Sequence, residues 1–346
     1  MHARRSVDEG VTPDWAASHA YSVRGTTMPT VTRFPQGTPI WVDLQSTDSA
    51  AAAEFYSALL GWEVNEPAQA GGYRLAYRGG IPVCAIGSLP EALAQKGAVP
   101  VWTTYLAVDD ADAATAAVGE AGGTVLLPPG ELGNGVRLSI VEDPSGAVVG
   151  LWQGAGQPAS WLRDEEGAVS WFELLAEHAE ESLPFYQSVL GASVSRVESD
   201  DAEKSEQLSN PAESVEWVDS VDSEDSEGLV DSGEDAGYPM LEFGGVTIAG
   251  VGASDVADLP AHWRVYFEVA DLARCVEQVG ELGGAVLAEI ASAVGVGSWA
   301  AVADPQGAVF SLIQPSGLEA EADPAEAKAD SAQAAATAED PREKAA

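Results

Sequence analysis

The same segment occurs twice in this chain. Trp41-Val42-Asp43-Leu44 returns as Trp171-Phe172-Glu173-Leu174, and Phe55-Tyr56 with Leu60-Gly61 returns as Phe185-Tyr186 with Leu190-Gly191, each 130 positions later. Further on, Trp102, Tyr105, Val108, Asp110, Gly122-Gly123, Asp143-Pro144, Gly146-Ala147-Val148 and Gln153 recur as Trp263, Tyr266, Val269, Asp271, Gly283-Gly284, Asp304-Pro305, Gly307-Ala308-Val309 and Gln314, now 161 positions later. An offset held from 102 to 153 marks a duplicated structural unit. Residues 38–153 and 168–314 are therefore expected to be two copies of one domain, joined by a linker at 154–167. The change of offset places an insertion in the second copy. Two domains also suit 346 residues, since single domains run to about 100–200.

The insertion, 198–236, holds fifteen acids and one lysine. Ordering it would cost roughly 1–2 kcal/mol per residue in backbone entropy, more than Leu208, Val215, Trp217, Val218 and Leu229 can offset by burial. It reads as a disordered acidic loop, and loop closure grows only slowly with length, so the domain tolerates it. The extension 1–37 and the Ala/Glu-rich acidic tail 315–346 read as disordered too, and Met28 is a second candidate start.

Asp and Glu number 55 against 16 Lys and Arg, a net charge of -39. A phosphate backbone or an anionic lipid surface would be repelled, which excludes nucleic acid and membranes as partners. An excess of this kind serves solubility or salt tolerance; the other reading is steering of cationic ligands. A protein partner for the acidic insertion is a further reading. No apolar run approaches the roughly 18 residues of a spanning helix, and the first thirty residues lack a compact apolar signal, so a cytoplasmic location is expected. Cys84 and Cys275 lie in apolar runs and are too few for a disulfide framework or a thiolate zinc site, so both are expected in the core.

Within the first copy, Ile40 to Gln45 suits a strand, and Ser46-Thr47-Asp48 offers an N-cap to a helix reaching Leu60. Three short segments follow, at Trp62 to Asn65, Tyr73 to Tyr77 and Pro82 to Gly87, separated by Gly-rich turns. That order is βαβββ. A strand at Trp102 to Val108, a helix at Ala111 to Ala121 and three more segments repeat it, so each copy contains two such modules. Asp143-Pro144-Ser145-Gly146 and Asp304-Pro305-Gln306-Gly307 have the residue types that a type I turn favours. The fold class is α+β.

Paired βαβββ modules, Phe-Tyr in the first helix, Gly-Gly after the second and Asp-Pro-x-Gly before the last strand resemble the vicinal oxygen chelate superfamily, which includes glyoxalases, extradiol dioxygenases and bleomycin-resistance proteins. The likeness is greatest to tandem glyoxalase-like proteins of actinobacteria, often labelled hydroxylase. It implies that each copy curls a mixed sheet around an open cleft. It also implies metal ligands, His or Gln, His, and Glu, on the first, fifth and last strands. Those positions match Trp41, Thr103 and Gly150 in copy one and Trp171, Arg264 and Ser311 in copy two. None is a usual ligand, and Arg264 would repel a cation. No cofactor is expected. Of the four histidines, His2 and His19 lie outside the repeats, His178 falls in a loop, and His262 could share a face with Arg264, with Glu173 the nearest carboxylate.

Strand alternation reads what stands in the metal's place. Side chains on a strand alternate faces with period two. Trp263, Val265, Phe267 and Val269 face the core, so Arg264, Tyr266 and Glu268 face the cleft, as Thr103 and Tyr105 do in copy one. Trp41 shares a face with Asp43, and Trp171 with Glu173. Trp152 joins the first cleft, with Ile313 as its counterpart. Each cleft thus combines a Trp, a Tyr and a carboxylate, the makings of a small-molecule pocket. The competing reading is that the tryptophans only fill the space vacated by the metal. The expected function is metal-independent binding of an aromatic or apolar metabolite. The alternative is an enzyme of lyase, isomerase or oxygenase type, using a divalent metal or acid-base chemistry at Asp43, Glu173, Tyr105 or Tyr266. Copy one carries the tidier pocket.

Overall fold

The computed structural model describes residues 34–67, 72–95, 97–133, 135–154, 161–197, 237–257, 259–293 and 296–316. Met28, His2, His19, the insertion 198–236 and the tail beyond 316 lie outside the described residues. Copy one runs β1 (Pro39–Ser46), α1 (Ser49–Leu60), β2 (Glu63–Val64), β3 (Arg74–Arg78), β4 (Ile81–Ser88) and a short α2 (Glu91–Ala94). It continues with β5 (Val101–Ala107), α3 (Ala111–Val118), β6 (Thr124–Gly133), β7 (Val136–Glu142) and β8 (Val148–Gln153). Copy two repeats this as β9 (Val169–Leu175), α4 (Leu183–Leu190), β10 (Ser193–Val197), β11 (Tyr238–Phe243), β12 (Val246–Gly252), β13 (His262–Glu268), α5 (Leu272–Glu281), β14 (Ala285–Val286), β15 (Ala291–Ala293), β16 (Gly297–Ala303) and β17 (Val309–Pro315).

The helices begin where the sequence offers an acceptor for unpaired backbone N–H groups. Asp48 Oδ1 accepts from Ala50 and Ala51 at 3.1 and 3.0 Å, and Asp110 and Asp271 cap α3 and α5 in the same way. Gly61 and Gly191 close α1 and α4 at φ 69° and 73°, a left-handed conformation that glycine enters without strain.

Copy one forms one mixed sheet in the order β2-β3-β4-β1-β5-β8-β7-β6. Copy two gives β10-β11-β12-β9-β13-β17-β16-β14, with β15 on β16. The two modules of each copy join through an antiparallel pair, β1 with β5 and β9 with β13, flanked by the parallel pairs β4 with β1 and β5 with β8, and their equivalents.

The two sheets turn their apolar faces to each other. Val42, Leu44, Trp102 and Leu106 of copy one share a single core with Phe172, Leu174, Val265 and Phe267 of copy two. Trp102 and Phe267 meet edge to face with centroids 5.1 Å apart, and Trp62 and Phe267 at 5.3 Å. The other face of each sheet, away from this core, carries the residues read as cleft-lining. Cys84 is buried, whereas Cys275 is only partly so, packed at the core's margin on α5. Residues 34–37, expected at the end of a disordered extension, are tied down: Gly37 N–H donates to Ala107 at 2.8 Å and Gln36 Nε2 to Leu190 of the other copy at 3.0 Å.

Candidate functional site

The outer face of the first sheet is a second, smaller core. Trp41, Tyr105 and Trp152 pack with Ile40, Ala85, Leu132, Val136 and Leu138, and each of the three rings is at most 4% exposed. Tyr105 and Trp152 meet edge to face at 5.8 Å, and Trp161, from the linker, lies 6.3 Å from Trp41 and donates Nε1 to Val83 at 2.7 Å. The aliphatic cover comes from the β6–β7 hairpin. Asp43 is enclosed at 1% exposure, opposite Thr103 in the register, with Tyr105 donating to Oδ2 at 2.8 Å and Oδ1 without a partner. Burial pushes its carboxyl up to about 7, against the opposing pull of the Tyr105 hydrogen bond. The period-two reading of faces holds in this copy, but the side chains expected to line the tidier pocket, Trp41, Asp43, Tyr105 and Trp152, are buried to at most 4% exposure. Burying an indole of about 200 Å² contributes on the order of 5 kcal/mol, so a ligand displacing Trp41 or Trp152 would lose more than three decades of affinity.

The second sheet's outer face differs at each of those covering positions. Where Leu132, Val136, Leu138 and Trp152 stand in copy one, copy two has Ala293, Gly297, Trp299 and Ile313. Trp171, Glu173 and Trp299 accordingly remain partly exposed. Glu173 is held from both sides: Tyr266 donates to Oε2, and Tyr238 to Oε1 at 2.6 Å. Burial raises its carboxyl, and the two tyrosines and Arg264 oppose the rise. Arg264, on the strand beside Glu173, is 0% exposed and ion-paired through Nη1 with Asp255. Its Nε donates to His262 Nε2 at 3.3 Å, and His262 Nδ1 lies 2.9 Å from the Pro260 carbonyl. Burial and the Arg264 charge lower His262 to about 4, so the ring is neutral and its Nε2 lone pair is already engaged. His178 precedes a one-turn helix at Ala179–Ser182, exposed and apart from this face.

Two features of the site had no strong sequence signal. Tyr73 and Tyr238 enter the clefts from the residue before β3 and the start of β11, and a weak hint existed, since each stands six residues before a Gly-Gly turn, at 79–80 and 244–245. Asp255 comes from a loop and had none. Glu268 keeps the alternation, pairing with Ile313 in the continuous β13–β17 register between the core residues Phe267 and Val269, but it lies four residues along β13 from Arg264, the partner of Glu173. Burial and the linker acids Asp164, Glu165 and Glu166 raise its carboxyl.

These positions do not suit a divalent cation. In copy one, a side chain on Gly150 would begin 2.1 Å from Tyr105 Cδ1, so the ring occupies the place of a last-strand ligand. In copy two the central position is a buried guanidinium; at about 5 Å and an effective dielectric of about 20, it would repel a divalent ion by roughly 7 kcal/mol. Among the described residues, no three His, Cys, Asp or Glu side chains gather as a metal site.

Two curved mixed sheets built from paired βαβββ modules are the architecture of a family whose model matches residues 39–151 and 168–312: the Glyoxalase/Bleomycin resistance protein/Dioxygenase superfamily. The chain belongs to that superfamily. It is 35% identical over 291 residues to CFP32 of Mycobacterium tuberculosis, whose name assigns it provisionally to the glyoxylases, covering 83% of this chain and 98% of that one. It is 30% identical over 298 residues to the anthracycline biosynthesis protein DnrV of Streptomyces peucetius, covering 82% and 95%. Among solved structures, the Mn(II)-bound glyoxalase of Novosphingobium aromaticivorans superposes with a TM-score of 0.51 at 16% identity, covering 81% of this chain and 83% of that one. Among the described residues no helix is long and apolar enough to cross a membrane.

Proposed function

We propose that this protein binds a small aromatic molecule in its second cleft, without a metal ion, and that the first cleft is a structural core. One observation carries the reading: the same outer face is sealed by Leu132, Val136, Leu138 and Trp152 in copy one, and left with Trp171, Glu173 and Trp299 partly exposed in copy two. Partly exposed indoles beside oriented polar groups are what a small-molecule site needs. The relative named for anthracycline biosynthesis is in keeping with a small-molecule role.

A second reading rests on Glu173. A carboxyl raised by burial and hydrogen-bonded by two phenols is suited to exchanging a proton with a bound substrate, which would make the cleft an acid-base enzyme site. Titration of tryptophan fluorescence with aromatic ligands tests the first reading. Trp171→Phe should weaken binding about tenfold, and Trp41→Phe should leave it unchanged while lowering stability. Absence of any quenching or shift across the panel rejects the proposal; ligand turnover abolished in Glu173→Gln selects the second reading.

A further inference from the structure

Buried polar groups are hydrogen-bonded in roughly nine cases of ten, and the second cleft contains two that are not. Arg264 Nη2 and Ser311 Oγ have no partner, and both residues are 0% exposed. They belong to one face of one sheet. Ser311 pairs with Tyr266 across the parallel β13–β17 ladder, and Arg264 lies two residues from Tyr266 on the same side. From strand spacing, their Cα atoms are about 8 Å apart, and the Arg264 guanidinium also meets His262 through Nε and Asp255 through Nη1. Ala301, the other neighbour of Ser311, offers neither a donor nor an acceptor from its side chain. The Arg264 charge, by contrast, is already matched: Asp255 takes Nη1, and Glu173 faces it across the ladder.

We infer that Arg264 Nη2 and Ser311 Oγ form a subsite for a neutral carbonyl oxygen, of ketone or amide type, on an aromatic ligand lying against Trp171 and Trp299. The inference rests on the second cleft being the ligand site and names the chemistry that site selects. A guanidinium N–H can only donate and a hydroxyl can donate as well as accept, so a single group bonded to both is an acceptor. A full negative charge would be a third acid beside one cation, whereas a carbonyl takes both hydrogen bonds without adding charge. A site built to bond an oxygen discriminates strongly against an analogue that lacks it, since the buried donors are then left unpaired.

The full chain can be titrated with 2-acetonaphthone, naphthalene and 2-naphthoate, with binding read by calorimetry and tryptophan fluorescence. The ketone should bind at least tenfold more tightly than the hydrocarbon and more tightly than the carboxylate. Ser311→Ala should remove most of that preference, leaving naphthalene binding unchanged and the thermal midpoint equal or higher, because only an unpartnered hydroxyl is lost. Arg264→Lys, which keeps a cation beside Asp255, should do the same to the preference. Equal binding of ketone and naphthalene, or a preference that survives Ser311→Ala, overturns the subsite but not the cleft. Tighter binding of 2-naphthoate overturns the neutral-oxygen assignment. If no probe binds, the cleft reading falls with it.

Discussion

The hydroxyl of Tyr186, on the first helix of copy two, donates to Asp143 in the last turn of copy one at 2.8 Å. The mirror bond joins Tyr56 of copy one to Asp304 of copy two at 3.2 Å. Behind each tyrosine an indole N–H completes a chain, Trp263 to Tyr186 at 2.8 Å and Trp102 to Tyr56 at 3.0 Å. Asp143 Oδ1 meanwhile accepts from Ser145 and Ala147 N–H, holding its own turn. The Phe-Tyr and Asp-Pro-x-Gly motifs are thus two sides of one reciprocal clasp, and this explains why both recur at matching places.

Tyr186→Phe should therefore destabilise the whole chain, because it orphans one carboxylate oxygen and the Trp263 N–H inside the core. At about 1–3 kcal/mol per unsatisfied buried group, the loss should be roughly 2–6 kcal/mol. Urea unfolding should remain a single transition with an unchanged slope. Two separated transitions would mean that the copies are independent units.

Asp43 should make the protein less stable as pH rises. Its folded value of about 7 lies above the ordinary 3.8, so below 3.8 both states are protonated and its contribution is intact. Between 3.8 and 7 the unfolded chain ionises while the folded one holds its proton; stability falls across that window and levels off above it. A shift of this size corresponds to about 4 kcal/mol. The difference in unfolding free energy between wild type and Asp43→Asn, followed from pH 4 to pH 8, should move in favour of the variant by an amount of that order. A flat difference would show that Asp43 is ionised in the fold.

Gly150→Ala should be costly although a strand ordinarily prefers alanine. Its Cβ would start 2.1 Å from Tyr105 Cδ1 and 2.5 Å from Cε1, so the ring must leave its place against Trp152 and its bond to Asp43. Overpacking of this kind costs about 1–3 kcal/mol, and thermal unfolding would register it. The double variant Gly150→Ala, Tyr105→Ala should relieve the clash, leaving a smaller penalty for the glycine change than in the wild-type background.

Metal addition should do nothing measurable. Dialysis against Mn(II), Fe(II) or Zn(II) followed by elemental analysis should find well under one ion per chain, with no rise in thermal midpoint. A stoichiometric ion that raises the midpoint in wild type and is lost in Glu173→Gln would place a metal on the second sheet and overturn the proposed mode of binding.

Much of this molecule can be read from its residues in order. The duplication determined two equivalent sheets, and Asp48, Asp110 and Asp271 marked helix starts, because capping is a local interaction between neighbours. Alternation assigned Trp41, Asp43, Tyr105, Trp171, Glu173, Arg264 and Tyr266 to the outer faces, since a strand's period of two is a property of the backbone itself. Which outer face stays open was decided only in three dimensions. It depends on Leu132, Val136 and Leu138 arriving from a hairpin, on Trp161 returning from the linker, and on the smaller Ala293, Gly297 and Ile313 standing in copy two where copy one has Leu132, Val136 and Trp152. The same holds for Tyr238 on Glu173, Asp255 on Arg264, and the clasp of Tyr186 on Asp143. Periodicity and capping act over a few residues and leave a trace in the order of the chain, whereas these contacts join segments far apart in sequence, and only chain closure brings them within bonding distance.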